Sequence, residues 1–198
     1  MARLRMVTTL AVPGDGRRHA APGQTSPGGV PGVQDARRLF RSVGMDPTKT
    51  RPSSEALLRR ALKQKPLHQV NSLVDVGNWC SLDFLLPLGL YDLAEIEGDI
   101  RIRRGGDNEE YEGIGSRTIH VGDRYTLADD QGPFGSPVAD SLRTAIQLST
   151  NRTIMIILAP VDDDEQSLSE HAETAARRIQ KVCGGQVERV ETLAAEDA

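Results

Sequence analysis

The sequence predicts an α+β domain, and three observations predict it. Apolar residues recur at helical spacing between residues 34 and 84. After Pro87 the pattern changes to the two-residue alternation of strands. A single β-branched run at 153–159 is then followed by one helix and one strand, so strands and helices do not alternate as they would around a parallel sheet. The expected order is N-terminal helices, then mixed β-sheets, then a C-terminal helix and strand. With 198 residues, 38% hydrophobic and 26% charged, the chain is long enough for one well-filled core.

Residues 13–32 hold six Gly and four Pro. A segment with so little to bury does not offset its own ordering entropy. Residues 1–32 therefore read as a flexible N-terminal segment, with a short strand at 1–12, and residues 33–198 as the compact domain. In 34–43, Ala36, Leu39, Phe40 and Val43 share a helical face and Gly44 ends it. Ser53 looks like an N-cap with Glu55 in the favourable first turn. The helix behind it, 54–64, turns Leu58, Ala61 and Leu62 inward and carries Arg59, Arg60 and Lys63 on its other side. Leu73, Val76, Cys80 and Phe84 are the core side of a third helix, 72–84. Ile100 and Ile102 alternate with arginines as in a half-buried strand. Residues 105–113 read as a polar turn, 117–121 and 124–128 as short strands, and 131–137 as an irregular loop. The run 153–159 reads as a strand buried on both faces. The last helix ends near Cys183 at Gly184–Gly185, a strand follows at 186–192, and the tail 194–198 frays.

Composition narrows the function classes. The net charge is −4 and aromatics make up 4%, which excludes a strongly basic chain and an array of stacking rings for single-stranded nucleic acid. Charge is uneven: nine Lys/Arg face three Asp/Glu between 35 and 65, and four face ten between 160 and 198. The basic part suits phosphate contacts or an ordinary solvated helix surface. Two cysteines, Cys80 and Cys183, make neither a disulfide framework nor a zinc site and read as buried thiols. No metal ligands and no cofactor motif are expected. His19, His68, His120 and His171 are scattered, with His171 on the exposed face of the last helix. The acids 162–165 read as helix-dipole partners rather than a metal site. No apolar run is long enough for a membrane span, and no clear cleavage site marks a signal peptide, so the expected location is cytoplasmic.

Asn71, Asp75, Asn78 and Leu82 are spaced to share one face of the third helix. A carboxylate and an amide inside LVDVGNWCSL need partners or water. Asp75 and Asn78 therefore either tie neighbouring loops or line a polar pocket. Gly77 and Gly89 would let a backbone or ligand come close.

The segments RRLFRSVGMDPTKTRPSSEALLRR and VNSLVDVGNWCSLDFLLPLGLYDLAEIEGDIRIR resemble the B3/B4 tRNA-binding and editing domain of the phenylalanyl-tRNA synthetase beta subunit, closest to stand-alone versions of it. The string N-x-L-V-D-V-x-N…L-P-L-G-x-Y-D-L carries the likeness, D-S-x-R-T at 140–144 extends it, and the match covers about 34–192. The resemblance implies a pocket for the aminoacyl end of tRNA and hydrolysis of mischarged tyrosyl-tRNA by a positioned water. It places Asn78 at a pocket asparagine, Gly77 at a pocket threonine, Asp140 near the acid that recognises the tyrosine hydroxyl, and Ala159 by the strand flooring the pocket. Gly89 stands where the synthetase domain has histidine, as in the stand-alone relatives, and the loop 131–139 lacks their Trp and Arg. The implied partners are tRNA or aminoacyl-tRNA, met by Arg59, Arg60 and Lys63, with a small amino-acid-like ligand in the pocket. The implied activity is aminoacyl-tRNA deacylation in trans, the alternative being a binding module without chemistry. The residues single out no catalytic side chain.

Overall fold

The computed structural model describes residues 26–67, 69–160 and 163–192. The strand expected at 1–12, His19, His68, Asp162 and the tail 194–198 lie outside them. Among the described residues four α-helices are present, α1 (Val33–Ser42), α2 (Ser53–Leu62), α3 (Ser72–Phe84) and α4 (Glu165–Cys183). The strands are β1 (Leu88–Asp92), β2 (Arg101–Arg104), β3 (Glu110–Gly113), β4 (Arg117–His120), β5 (Tyr125–Asp129), β6 (Gly132–Gly135) and β7 (Thr153–Ile157). The class is α+β, with N-terminal helices, antiparallel sheets and a C-terminal helix.

The core forms in three parts that follow from side-chain alternation. α1, α2 and the start of the described chain close over Val30, Val33, Leu58, Leu62, Leu82 and Leu85. Packing thus begins slightly ahead of Val33, at Val30. β1 pairs antiparallel with β7, Leu88 opposite Ile157 and Asp92 opposite Thr153. Because side chains alternate across a strand, this ribbon has two different faces. Leu88, Leu90, Met155 and Ile157 pack on α3 and α4 with Leu73, Val76 and Cys80. Tyr91, Ile154 and Ile156 turn the other way, onto Leu127 and Phe134. The second layer is the sheet β2-β5-β6, and β3-β4 forms a separate hairpin. No helix among the described residues is long and apolar enough to cross a membrane.

Tertiary context overrides the sequence pattern in several places. No strand forms at 186–192. Val187 and Val190 are three apart, so they cannot share one strand face, and both stay exposed. The polar turn at 105–113 contains β3, where Tyr111 is buried between two exposed glutamates. The loop at 131–137 contains β6, whose Pro133 is tolerated because β6 is a sheet edge. Ile102 is 54% exposed rather than half-buried, because β2 is the opposite edge. β7 is half-buried throughout, since it pairs only with β1. Pro52, not Ser53, takes the α2 cap position, and the Ser54 hydroxyl donates to the Leu85 carbonyl instead. His171 is half-buried and stacks on Phe84 with ring centres 4.4 Å apart. Asp164 caps α4 by accepting from the Ser167 amide. Cys80 and Cys183 are buried thiols.

Candidate functional site

The outward-turned face of β1 carries Gly89 and Tyr91. The Tyr91 ring is 1% exposed, meets Phe134 edge-on at 5.0 Å, and donates its hydroxyl to Asp140 Oδ1 at 2.6 Å. Two glycines make room for it. A Cβ on Gly89 or on Gly135 of β6 would overlap the Tyr91 hydroxyl. The ring therefore fills a chamber walled by Gly89, Gly135, Phe134 and Asp140. Burial pushes the Asp140 carboxyl up to about 6, although the Tyr91 hydroxyl and the Leu90 amide pull the other way. Burial, together with the Asp140 charge, drives the Tyr91 phenol well above its ordinary range, so it stays a donor.

The segment after Asp140 locks this wall in place. Ser141 and Thr144 share a hydroxyl hydrogen bond of 2.8 Å, and the Thr144 carbonyl accepts from the Asp92 amide. Arg143 grips Asp129 through two bonds of 2.9 Å and donates to the Glu95 carbonyl. Burial would raise the Asp129 carboxyl, but this guanidinium and the Glu97 and Gln131 amides outweigh it and hold it low. The string D-S-x-R-T is thus a brace between β1, β5 and the loop before β7.

The other residues singled out in the sequence sit apart from this chamber. Gly77 lies on the opposite side of β1, where a Cβ would stand 2.6 Å from Leu90 Cδ1. Asp75 accepts from the Val70 amide, and Asn71 caps α3 by accepting from the Val74 amide, so both tie chain ends. Asn78 is half-buried on α3, and its amide makes no hydrogen bond to another described residue. No contact joins it to Asp140, whose partner Tyr91 is on the far face of the ribbon. Ala159 is half-buried, two residues past the end of β7. On α2, Arg60 holds the Pro66 carbonyl, Lys63 is exposed, and the Arg59 Nε is a buried donor without a partner among the described residues. Much of the remaining basic helix surface is neutralised. Glu55 is chelated by Arg37 at 2.8 and 2.9 Å and approached by Arg51, and Arg38 bonds Asp35 and Asp163.

A second hollow opens on the other side of the loop that carries Asp140. It has a volume of about 220 Å³ and lies between the α1–α2 link (Met45, Thr50), strand β4 with the turn after it, and Ser136 and Val138. Thr118, His120, Arg124 and Tyr125 supply its polar rim. Tyr111 braces its floor by donating to Ser136 Oγ at 2.9 Å, and burial pushes that phenol up to about 12. Among the described residues no group of three or more His, Cys, Asp or Glu is placed to hold a metal.

The family model of the B3/4 domain matches residues 35–189, most of the chain. The chain belongs to the B3/4 domain family. Relatives of this B3/4 domain include the "Phenylalanine--tRNA ligase beta subunit" of Paramagnetospirillum magneticum, 35% identical over 99 residues that make up 50% of this chain and 12% of that one. The same subunit of Zymomonas mobilis is 25% identical over 167 residues, 72% of this chain and 21% of its own. The B3/4 chain thus spans only 12% to 21% of the length of these curated relatives. A solved N-terminal fragment of the phenylalanyl-tRNA synthetase beta-subunit from Pyrococcus horikoshii aligns with a TM-score of 0.47 at 12% identity, over 58% of this chain and 40% of that chain.

Sequence reasoning missed Tyr91 as a site residue of this B3/4 domain, and it missed Arg104, Arg124 and Tyr125. A signal for Tyr91 was present: the string Leu-Gly-Leu-Tyr puts a residue without a side chain on the same strand face as a large ring. The cavity residues had no comparable signal, because they come from segments up to about 90 residues apart in the chain.

Proposed function

We propose that the chain is an RNA-binding module for tRNA, charged or uncharged, that holds its partner without chemistry at Asp140. Membership of the B3/4 family, with relatives named as subunits of a tRNA ligase, supports tRNA as the partner class. The observation that favours binding over editing is the Tyr91–Asp140 pair. An incoming aminoacyl side chain would have to expel a buried ring, worth about 1.5–3 kcal/mol, and break a hydrogen bond to a charged group, worth about 1.5–3 kcal/mol. A ligand opens such a site only if it prefers the open state by that much. Equilibrium binding of purified tRNA across a salt series tests the proposal. Affinity should fall steeply as salt rises, through release of counterions; binding that is absent or indifferent to salt refutes it.

The second reading is hydrolysis of a mischarged aminoacyl-tRNA ester in trans, with a small amino-acid-like group in the chamber and a water oriented by the site. One observation favours it: Asp140 is held at about 6, in the range that suits a general base near neutral pH. Incubation with a panel of mischarged tRNAs separates the two. Deacylation that rises with pH through about 6 and disappears in Asp140→Asn supports hydrolysis, and rates at background for every substrate support binding alone.

A further inference from the structure

The sheets differ in how their outer strands are protected. In the sheet β2-β5-β6, the β2 edge carries Arg101, Arg103 and Arg104, and the β6 edge carries Pro133. The hairpin strands β3 and β4 carry Glu110, Glu112 and Arg117. Charge and proline are the usual means by which an edge is kept from pairing with a further strand. On the β1-β7 ribbon, the outer side of β1 is met by the chain itself. The Asp92 amide donates to the Thr144 carbonyl and the Leu90 amide to Asp140. β7 has neither device: it reads Thr-Ile-Met-Ile-Ile, without a charge or a proline, and each of its residues is half-buried.

The register fixes what β7 presents. Leu158 donates to the Pro87 carbonyl, and Leu93 donates to the Arg152 carbonyl. Hydrogen-bonded pairs recur at every second residue of an antiparallel ladder, so Gly89–Ile156 and Tyr91–Ile154 are the bonded pairs between them. The amides and carbonyls of Thr153, Met155 and Ile157 therefore point away from β1. Among the described residues none of these groups meets a backbone partner. Glu188 brings residues 186–192 to the start of the strand by holding Arg152 at 2.9 Å, which neutralises the nearest cation.

We infer that the β7 edge pairs with β7 of a second copy of this chain, antiparallel about a two-fold axis at Met155. The strand is self-complementary in that register. Each Thr153 stands opposite the other copy's Ile157 and the two Met155 residues face each other, so outward amides meet outward carbonyls at all three positions. Arg152 falls opposite the other copy's Leu158, and no like charges oppose. β7 offers no charge for a strand of different sequence to complement, whereas its own copy matches it in length, polarity and register. Such a contact closes after two copies. It joins two ribbons, each marginal alone, into one four-stranded sheet, and it covers the half-buried β7 side chains from the side. The inference is independent of the RNA-binding reading.

Sedimentation of the full chain over a wide dilution series, with residue-resolved amide exchange on the same samples, tests it. The expected result is a dimer in which the Thr153, Met155 and Ile157 amides exchange slowly and become fast on dilution to the monomer. The Ile154, Ile156 and Leu158 amides, bonded to β1, should stay slow throughout. Thr153→Pro deletes one outward amide and spares the bonds to β1, so it should raise the dimer dissociation constant by about tenfold or more. Thr153→Lys, which gives the edge the kind of charge that β2 carries, should do the same without altering the backbone. A monomer at every concentration with the three amides fast overturns the inference. A monomer with the three amides slow means that the chain covers its own edge, and the second copy falls. A dimer that leaves them fast, or that Thr153→Lys does not weaken, uses another surface and overturns it equally.

Discussion

The Tyr91 chamber and the Tyr125 hollow are built around one segment, the end of β6 and the loop after it at 136–140, yet they are opposites. Each holds a tyrosine near a charged side chain. In the chamber the ring is sealed, its hydroxyl meets a carboxylate, and two glycines remove whatever else could stand there. In the hollow the ring is half-buried, the Arg104 guanidinium lies over it without a carboxylate partner among the described residues, and the ring lines an open cavity. Burial turns the first tyrosine into structure, and exposure leaves the second available to a ligand. A buried polar pair meets a ligand only by giving up the contacts it already makes. What decides is whether the chain itself already satisfies it.

The contrast breaks most sharply at the two rings. Tyr91→Ala removes a sealed aromatic and should cost about 3–5 kcal/mol in urea unfolding, whereas Tyr125→Ala should cost under about 1 kcal/mol. Equal losses would mean that the chamber is not part of the core. Gly89→Ala and Gly135→Ala drive a methyl into the Tyr91 hydroxyl and should each cost about 1–3 kcal/mol. Combined with Tyr91→Ala, the penalty should largely vanish, a coupling that thermal unfolding of the double variants would read.

Tyr91→Phe keeps the ring but strips Asp140 of its hydroxyl donor, leaving the Leu90 amide, at about 1–3 kcal/mol. Its pH dependence sharpens the comparison further. Asp140 in the folded chain titrates at about 6, above the ordinary carboxyl at about 3.9. The folded state therefore holds the proton more tightly than the unfolded one. This group's contribution to stability falls as pH rises from about 4 to 6 and is level above that. Asp140→Asn should erase that slope in stability-against-pH curves. Tyr91→Phe should carry the slope above pH 6, because the hydroxyl that favours the ionised form is gone. The smallest effect belongs to the hollow: R104Q/R124Q should move stability by only about 0.5 kcal/mol, as surface substitutions do, while the unfolding midpoint stays near that of the parent.

Local signals carried the helices well. α3 is read residue for residue from its apolar spacing, and α1 and α2 to within two residues, because burial of one helical face follows directly from sequence period. β4 and β5 were legible for the same kind of reason. β1 was not, since its only partner, β7, lies some 60 residues away and its glycine breaks the expected strand composition. β6, with Gly-Pro-Phe-Gly, has strand propensity only at Phe134 and forms because that ring is buried between layers. In the site, Asp140 and Gly89 could be named from the sequence, and both wall the chamber. That Tyr91 fills it could not, because a side chain's occupancy depends on which two strand faces meet.

By itself the sequence determined the α+β class, the helix faces and the buried thiols, which follow from composition and period, while the family was legible only through the resemblance of whole segments to a known domain. Only the tertiary structure decided that Gly77 and Gly89 serve opposite faces of one ribbon, that Asp140 accepts from Tyr91, and that Arg124 lines an open hollow while Arg104 lies over Tyr125, neither with a carboxylate partner among the described residues. The physical reason is that pairing between distant strands and the satisfaction of buried polar groups depend on contacts far apart in the chain, which no local pattern records.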